Sequence, residues 1–219
     1  HCVSLAKERG YIQDAHTFDV VIASMDVAEA LDTLGETDLG VPGYYNPNKR
    51  LVTLRPEDTN RTAAHEIGHA LSDRGPDEEG YIQVGFARMK FDAQGSLLEN
   101  RGFTDFNEGV TTLWEELSNV DGEQIEDAGL YEWHRTFTRG LMEEADISLD
   151  ELMRANFMGG EHMATFDGKV QERFHMSLEQ MEPLRLLATR EPKDLVSKAL
   201  RGEAVEVPYS GDQDRRSSV

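Results

Sequence analysis

Residues 62 to 72 read Thr-Ala-Ala-His-Glu-Ile-Gly-His-Ala-Leu-Ser. Helical residues four apart lie on one face, one turn above the other. His65 and His69 can therefore hold one metal ion between their imidazoles. Glu66 sits beside that face, close enough to take a proton from a water on the metal. The pattern is that of a zinc hydrolase, usually a peptidase. The plain alternative is an amphipathic helix that happens to contain these three residues.

A catalytic zinc site needs three protein ligands and an open position. The best candidate for the third is Glu108, in Phe106-Asn107-Glu108-Gly109-Val110-Thr111-Thr112-Leu113-Trp114-Glu115-Glu116. A carboxylate near a helix start and next to a glycine is well placed to point into a cleft. No histidine follows His69 until His134. That disfavours a site whose third ligand is a histidine shortly after the motif.

The segments HEIGHAL and FNEGVTTLWEE together resemble the gluzincins, zinc metallopeptidases of the thermolysin and aminopeptidase N type. The resemblance rests on these two segments, roughly twenty residues. It implies His65, His69 and Glu108 as zinc ligands and Glu66 as general base. It implies an electrophile from a downstream helical part, for which Tyr131 and His134, close together on one helix, are the candidates. It also implies that substrate adds as an antiparallel strand to a sheet edge, with Gly43, Tyr44 and Tyr45 as the candidate edge. In thermolysin-like members an acid four residues after the ligand glutamate orients the first histidine. Here that position is Thr112, so the partner that such a histidine needs is sought among Glu115, Glu116 and Asp73.

Several elements must position these groups. Phe18 to Ser24 is an apolar, β-branched run of strand length. A helix capped by Asp26 follows it. Residues 41 to 54 read as a β-hairpin around Asn46-Pro47-Asn48, with Pro42 suited to an edge. The motif helix is expected from a cap at Asp58, Thr59 or Asn60 to about Asp73, with Gly75-Pro76 stopping it. Residues 81 to 92 read as one strand, with 96 to 100 as its hairpin partner. From about Asp105 the chain turns helical, with Val110, Leu113, Trp114 and Leu117 forming an apolar stripe. Further helices are expected over 130 to 144, from the cap Ser148 to about 157, and over 161 to 174, 177 to 187 and 191 to 200.

The fold class expected is α+β and zincin-like, with a small mixed sheet and the active-site helix in the N-terminal part. The C-terminal part is mostly helical. Residues 1 to 104 form the sheet-bearing lobe, 105 to 203 the helical lobe carrying Glu108, and 204 to 219 a flexible tail of one catalytic unit.

The 219 residues carry 42 acidic and 22 basic side chains, a net charge of −20. A phosphate backbone would be repelled, which argues against nucleic-acid binding. No apolar run is long enough to span a membrane. Cys2 is the one cysteine, so a disulfide within the chain and a thiolate-rich zinc site are both excluded. The chain starts at His1, which is compatible with a cytoplasmic protein or with a domain trimmed from a secreted one.

The function expected is zinc-dependent hydrolysis of peptide or protein substrates. No exopeptidase signature is recognisable, which favours an endopeptidase. A non-catalytic zinc-binding regulatory or interaction domain is the alternative, as is a metalloprotease toxin or effector domain.

Overall fold

The computed structural model describes residues 1–13, 21–24, 43–54, 60–102, 104–118 and 132–175. Among these residues it is a mixed α/β structure with six helices and two small sheets.

Helix α1, Cys2–Glu8, buries Cys2 and Ala6. Strands β1, Val21–Ser24, β2, Gly43–Asn46, and β3, Leu51–Leu54, form a mixed sheet in the order β1-β3-β2. β1 runs parallel to β3 and β2 runs antiparallel to it. The hairpin read around Asn46-Pro47-Asn48 is present, with the Asn46 side chain accepting from the Lys49 amide at 3.1 Å. Among the described residues β2 is thus an edge of this sheet. Pro42, the Asp26 helix, the cap candidates Asp58 and Thr59, and the helices expected over 177 to 187 and 191 to 200 lie outside the described residues.

Helix α2, Asn60–Leu71, carries the His-Glu-x-x-His motif and packs on β2 and β3. Gly43 permits this approach, because a Cβ there would stand 2.9 Å from Thr62 Cγ2. The helix ends at Leu71 rather than near Asp73. The segment read as its stop is instead strand β4, Asp73–Pro76. Gly75 has φ +74° and the pairing register shifts between Asp73 and Pro76. The Asp73 carboxylate accepts from the Gly75 amide at 2.7 Å. β4 is an edge strand, where a proline's missing N–H does no harm.

The single strand expected over 81 to 92 is two strands, β5, Ile82–Val84, and β6, Ala87–Phe91. Val84 pairs with Ala87 across the two-residue loop Gly85-Phe86. Gly85 takes φ +55°, as the first position of a II′ hairpin requires. Strand β7, Leu97–Gly102, completes an antiparallel sheet in the order β4-β5-β6-β7.

Helix α3, Thr104–Ser118, begins one residue before the expected Asp105. Its apolar stripe holds Phe106, Val110, Leu113 and Trp114 in the core. Helices α4, Glu132–Glu144, α5, Leu149–Met158, and α6, Gly160–Phe174, pack around that stripe. Phe106 meets Phe86 edge-on at 4.8 Å, and Trp114 meets Phe157 edge-on at 5.0 Å. Ser148 caps α5, as read from sequence, and forms a capping box with Glu151. Half-buried Arg74 clamps the other end of α5, donating to the Asn156 carbonyl at 2.9 Å and to the Gly85 carbonyl at 2.6 Å. Burial lowers its pKa to about 10.

Candidate metal centre

With the apolar stripe of α3 turned into the core, its polar positions face α2. Arg61, His65 and His69 lie at four-residue steps along one face of α2. Opposite them on α3 stand Glu115, Glu108, Thr111 and Asn107. The pairs run in reverse order, Arg61 with Glu115, His65 with Glu115 and Glu108, His69 with Glu108, Thr111 and Asn107. The two helices therefore form an antiparallel polar ladder with the motif at its centre.

Gly68 makes this approach possible, and Gly109 does the same between α3 and α4. Gly68 lies against Trp114 and Thr111, and Gly109 lies against Thr138 and the His134 carbonyl on α4. A side chain at Gly68 would separate the two helices that carry the ladder, and one at Gly109 would push α3 off α4.

Glu108 Oε2 lies 3.1 Å from His65 Nε2 and 3.3 Å from His69 Nε2. The ligand atoms of the three residues all fall within 4.8 Å of one another. A tetrahedral zinc ion bound to nitrogen and oxygen at its usual distances sets adjacent ligand atoms about 3.3 Å apart. The set of two imidazoles and one carboxylate suits such an ion in chemistry, and the two separations from Glu108 match its spacing.

The electrostatics reflect this crowding. Burial works to raise the Glu108 carboxyl, but the charge of His69 and hydrogen bonds from both imidazoles outweigh it and hold the group well below the ordinary range. Burial works to lower His69, and the charge and hydrogen bond of Glu108 raise it instead. Glu66 shows the opposite balance. Burial pushes its carboxyl up, against the pull of His65, His69 and the Tyr45 backbone amide.

The outer nitrogens of both rings have partners. His65 Nδ1 faces Glu115 Oε2 at 3.3 Å. Of the three acids considered for this role, Glu115 occupies it. Glu116 pairs with Arg135 at 2.6 Å and with Arg139. Asp73 accepts from the Tyr45 hydroxyl at 2.5 Å. Thr112 donates its hydroxyl to the Glu108 carbonyl at 2.9 Å. His69 Nδ1 faces Thr111 Oγ1 at 3.2 Å and Asn107 Nδ2 at 3.3 Å. With its proton on Nδ1, His69 can donate to Thr111, which passes a hydrogen bond on to the Asn107 carbonyl at 2.9 Å. Either ring then presents Nε2 to an ion.

A cleft of about 200 Å³ opens beside His69, Glu108 and Glu66. One wall is the edge strand, with Gly43, Tyr44 and Tyr45, and Pro47 beyond it. The facing wall is Val84, Ala87 and Met89 of the second sheet, with Asn107. The structure thus brings Gly43, Tyr44, Tyr45, Glu66, His69 and Glu108 to one cleft, with His65 completing the ligand set behind it. Tyr131 lies outside the described residues. His134 is buried on α4 and does not line the cleft.

Sequence reasoning missed Arg61, Asn107 and Thr111, and it missed the facing wall. Arg61 and Thr111 carried a usable signal. Arg61 is one turn before His65, and Thr111 is one turn after Asn107, on the polar side of a helix whose apolar side was evident. Val84, Ala87 and Met89 carried none, because only the placement of the second sheet beside the cleft puts them there.

Among the described residues no helix is long and apolar enough to cross a membrane. Cys2 is free and buried. Comparison with protein-family models, curated proteins and solved structures finds no match.

Proposed function

We propose that the protein is a zinc-dependent peptidase, gluzincin-like in its ligand set and zincin-like in the placement of its helix beside a sheet edge. The observation that carries this reading is the convergence of His65 Nε2, His69 Nε2 and Glu108 Oε2, with Glu66 beside them at a cleft. The zinc, when bound, would supply Lewis acidity and a water acidified toward neutral pH.

The chain's own residues supply the rest. Glu66 takes the proton of the attacking water and returns it to the leaving amine. Its burial, which favours the protonated form, suits a group that must take up a proton and give it back. An extended peptide would add to β2 antiparallel, through the main chain of Gly43, Tyr44 and Tyr45. Tyr44, Pro47, Val84, Ala87 and Met89 would touch its side chains. The Tyr45 hydroxyl is held by Asp73, so Tyr45 acts as wall and main-chain partner. His134 does not line the cleft; Tyr131, the other candidate donor to the developing oxyanion, lies outside the described residues, and Tyr131→Phe tests it.

The decisive experiment is metal analysis and peptide hydrolysis by wild type and Glu66→Gln. Zinc at one equivalent in both, with hydrolysis lost only in the variant, is the expected result. Undiminished hydrolysis in Glu66→Gln, or a wild type that takes up no zinc, would overturn the proposal.

A further inference from the structure

The ladder between α2 and α3 extends one step past the candidate ligands. His65 Nδ1 meets Glu115 Oε2, and the other oxygen of Glu115 receives Arg61 Nε. Arg61 stands one helical turn before His65 on the same face. Glu115 is 5 % exposed, while the Arg61 side chain is 36 % exposed. The chain of contacts therefore runs from the solvent edge of the helix pair to a candidate ligand.

Three carboxylates, Glu66, Glu108 and Glu115, crowd about this site. An uncompensated charge on buried Glu115 would be costly, and a buried carboxylate without a partner tends to take up a proton. Arg61 removes that cost. A guanidinium remains charged at any working pH and donates in a fixed fork. It fixes Glu115 both in charge and in rotamer, with one oxygen left to accept from His65. The ring is thereby held with Nδ1 as donor and Nε2 free for the ion. Metal-bound histidines are oriented by such a partner, and its loss typically weakens affinity by about 10–100-fold.

We propose that Glu115 is a positioning residue for His65 and that Arg61 acts on zinc binding through Glu115. This rests on the reading of His65, His69 and Glu108 as zinc ligands. The relay uses an acid two turns after the ligand glutamate, at the end of an antiparallel pair, in place of an acid one turn after it. Thr112 occupies that nearer position, with its hydroxyl on the Glu108 carbonyl.

The test is zinc affinity, measured by competition with a chromophoric chelator, for wild type, Glu115→Gln, Arg61→Met, the double variant and Glu116→Gln. Circular dichroism and thermal melting of each metal-free form establish folding. Glu115→Gln should bind zinc about 10–100-fold more weakly, and Arg61→Met less severely. The double variant should bind no more weakly than Glu115→Gln alone, because Arg61 has then lost its route. Glu116→Gln, which removes a neighbouring acid paired with Arg135 and Arg139, should bind as wild type. Wild-type affinity in a folded Glu115→Gln, or an Arg61→Met effect that persists in full without Glu115, would overturn the relay while leaving the zinc site intact. No zinc binding by the wild type would remove both readings. If Glu115→Gln does not fold, a wild-type affinity in Arg61→Met overturns the relay by itself.

Discussion

Gly68 lies flat against Trp114: a Cβ at Gly68 would stand 2.6 Å from Trp114 Cδ1 and 2.9 Å from Thr111 Cγ2. Trp114 is fully buried and has nowhere to retreat. The glycine between the two motif histidines therefore sets the distance between the helices that carry the ligands. Gly68→Ala should destabilise the protein by about 1–3 kcal/mol, the usual cost of forcing a methyl into a packed interior. Zinc affinity should fall with it, because Thr111 and Glu108 move away from His69. Thermal melting and a chelator titration on the same sample measure both.

Zinc should stabilise the fold, because its proposed ligands come from two helices that meet only in the native state. Binding to the folded state alone adds about 4 kcal/mol at a free zinc concentration one thousand times the dissociation constant. Melting with and without EDTA should show a large difference in wild type and none in His69→Ala.

The Tyr45 hydroxyl donates to Asp73 Oδ2 at 2.5 Å and ties the cleft edge to the strand that follows the motif helix. Burial, the Asp73 hydrogen bond and the Asp73 charge all hold the phenol far above its ordinary pKa, so it stays protonated. Tyr45→Phe leaves Asp73 with Arg50 at 3.8 Å on that oxygen. A loss of roughly 1–3 kcal/mol is expected from the abandoned acceptor. A looser edge strand should raise KM for peptide substrates more than it lowers kcat, which steady-state kinetics would separate.

Acid should loosen the start of α5. The Lys169 ammonium, with the Ser148 amide and hydroxyl, lowers the Glu151 pKa to about 2. Its ordinary value is 4.5. A carboxyl depressed on folding contributes stability above its unfolded pKa and loses it as pH falls through the folded one. The stabilisation from Glu151 should thus be complete above about pH 5 and fade between about pH 4.5 and 2. At 42 % exposure of the side chain, solvent screens much of it. The melting temperatures of wild type and Glu151→Gln, measured across that window, should converge at its acid end. Ser148→Ala should cost about 1 kcal/mol through the lost cap, at any pH where Glu151 is charged.

Local patterns were the most legible part of the chain. The motif helix, the hairpin at β2 and β3, the α3 stripe and the Ser148 cap all rest on contacts within a few residues, which sequence spacing encodes directly. Gly75-Pro76 misled because glycine and proline read as helix stops, whereas here they serve a bulged edge strand. Residues 81 to 92 misled because Val84-Gly85-Phe86 is apolar throughout and hides a two-residue turn. The partner of His65 was narrowed to three acids, and it took the antiparallel register of α2 and α3 to pick Glu115 over Glu116 and Asp73. Arg61 marked the right helix face, one turn before His65, but its role could not be read until Glu115 was placed opposite it.

Asn107 joins two parts of the site that are otherwise separate. Its Oδ1 accepts from the Phe86 amide at 3.1 Å, inside the turn between β5 and β6, and its Nδ2 faces His69 Nδ1. Val84 and Ala87 flank that turn and form the far wall of the cleft. One amide thus stands between the wall and the candidate ligand. A bulky occupant that forces the wall outward would also shift the amide packed beside the imidazole, so the width of the cleft and the setting of the candidate ligand would change together.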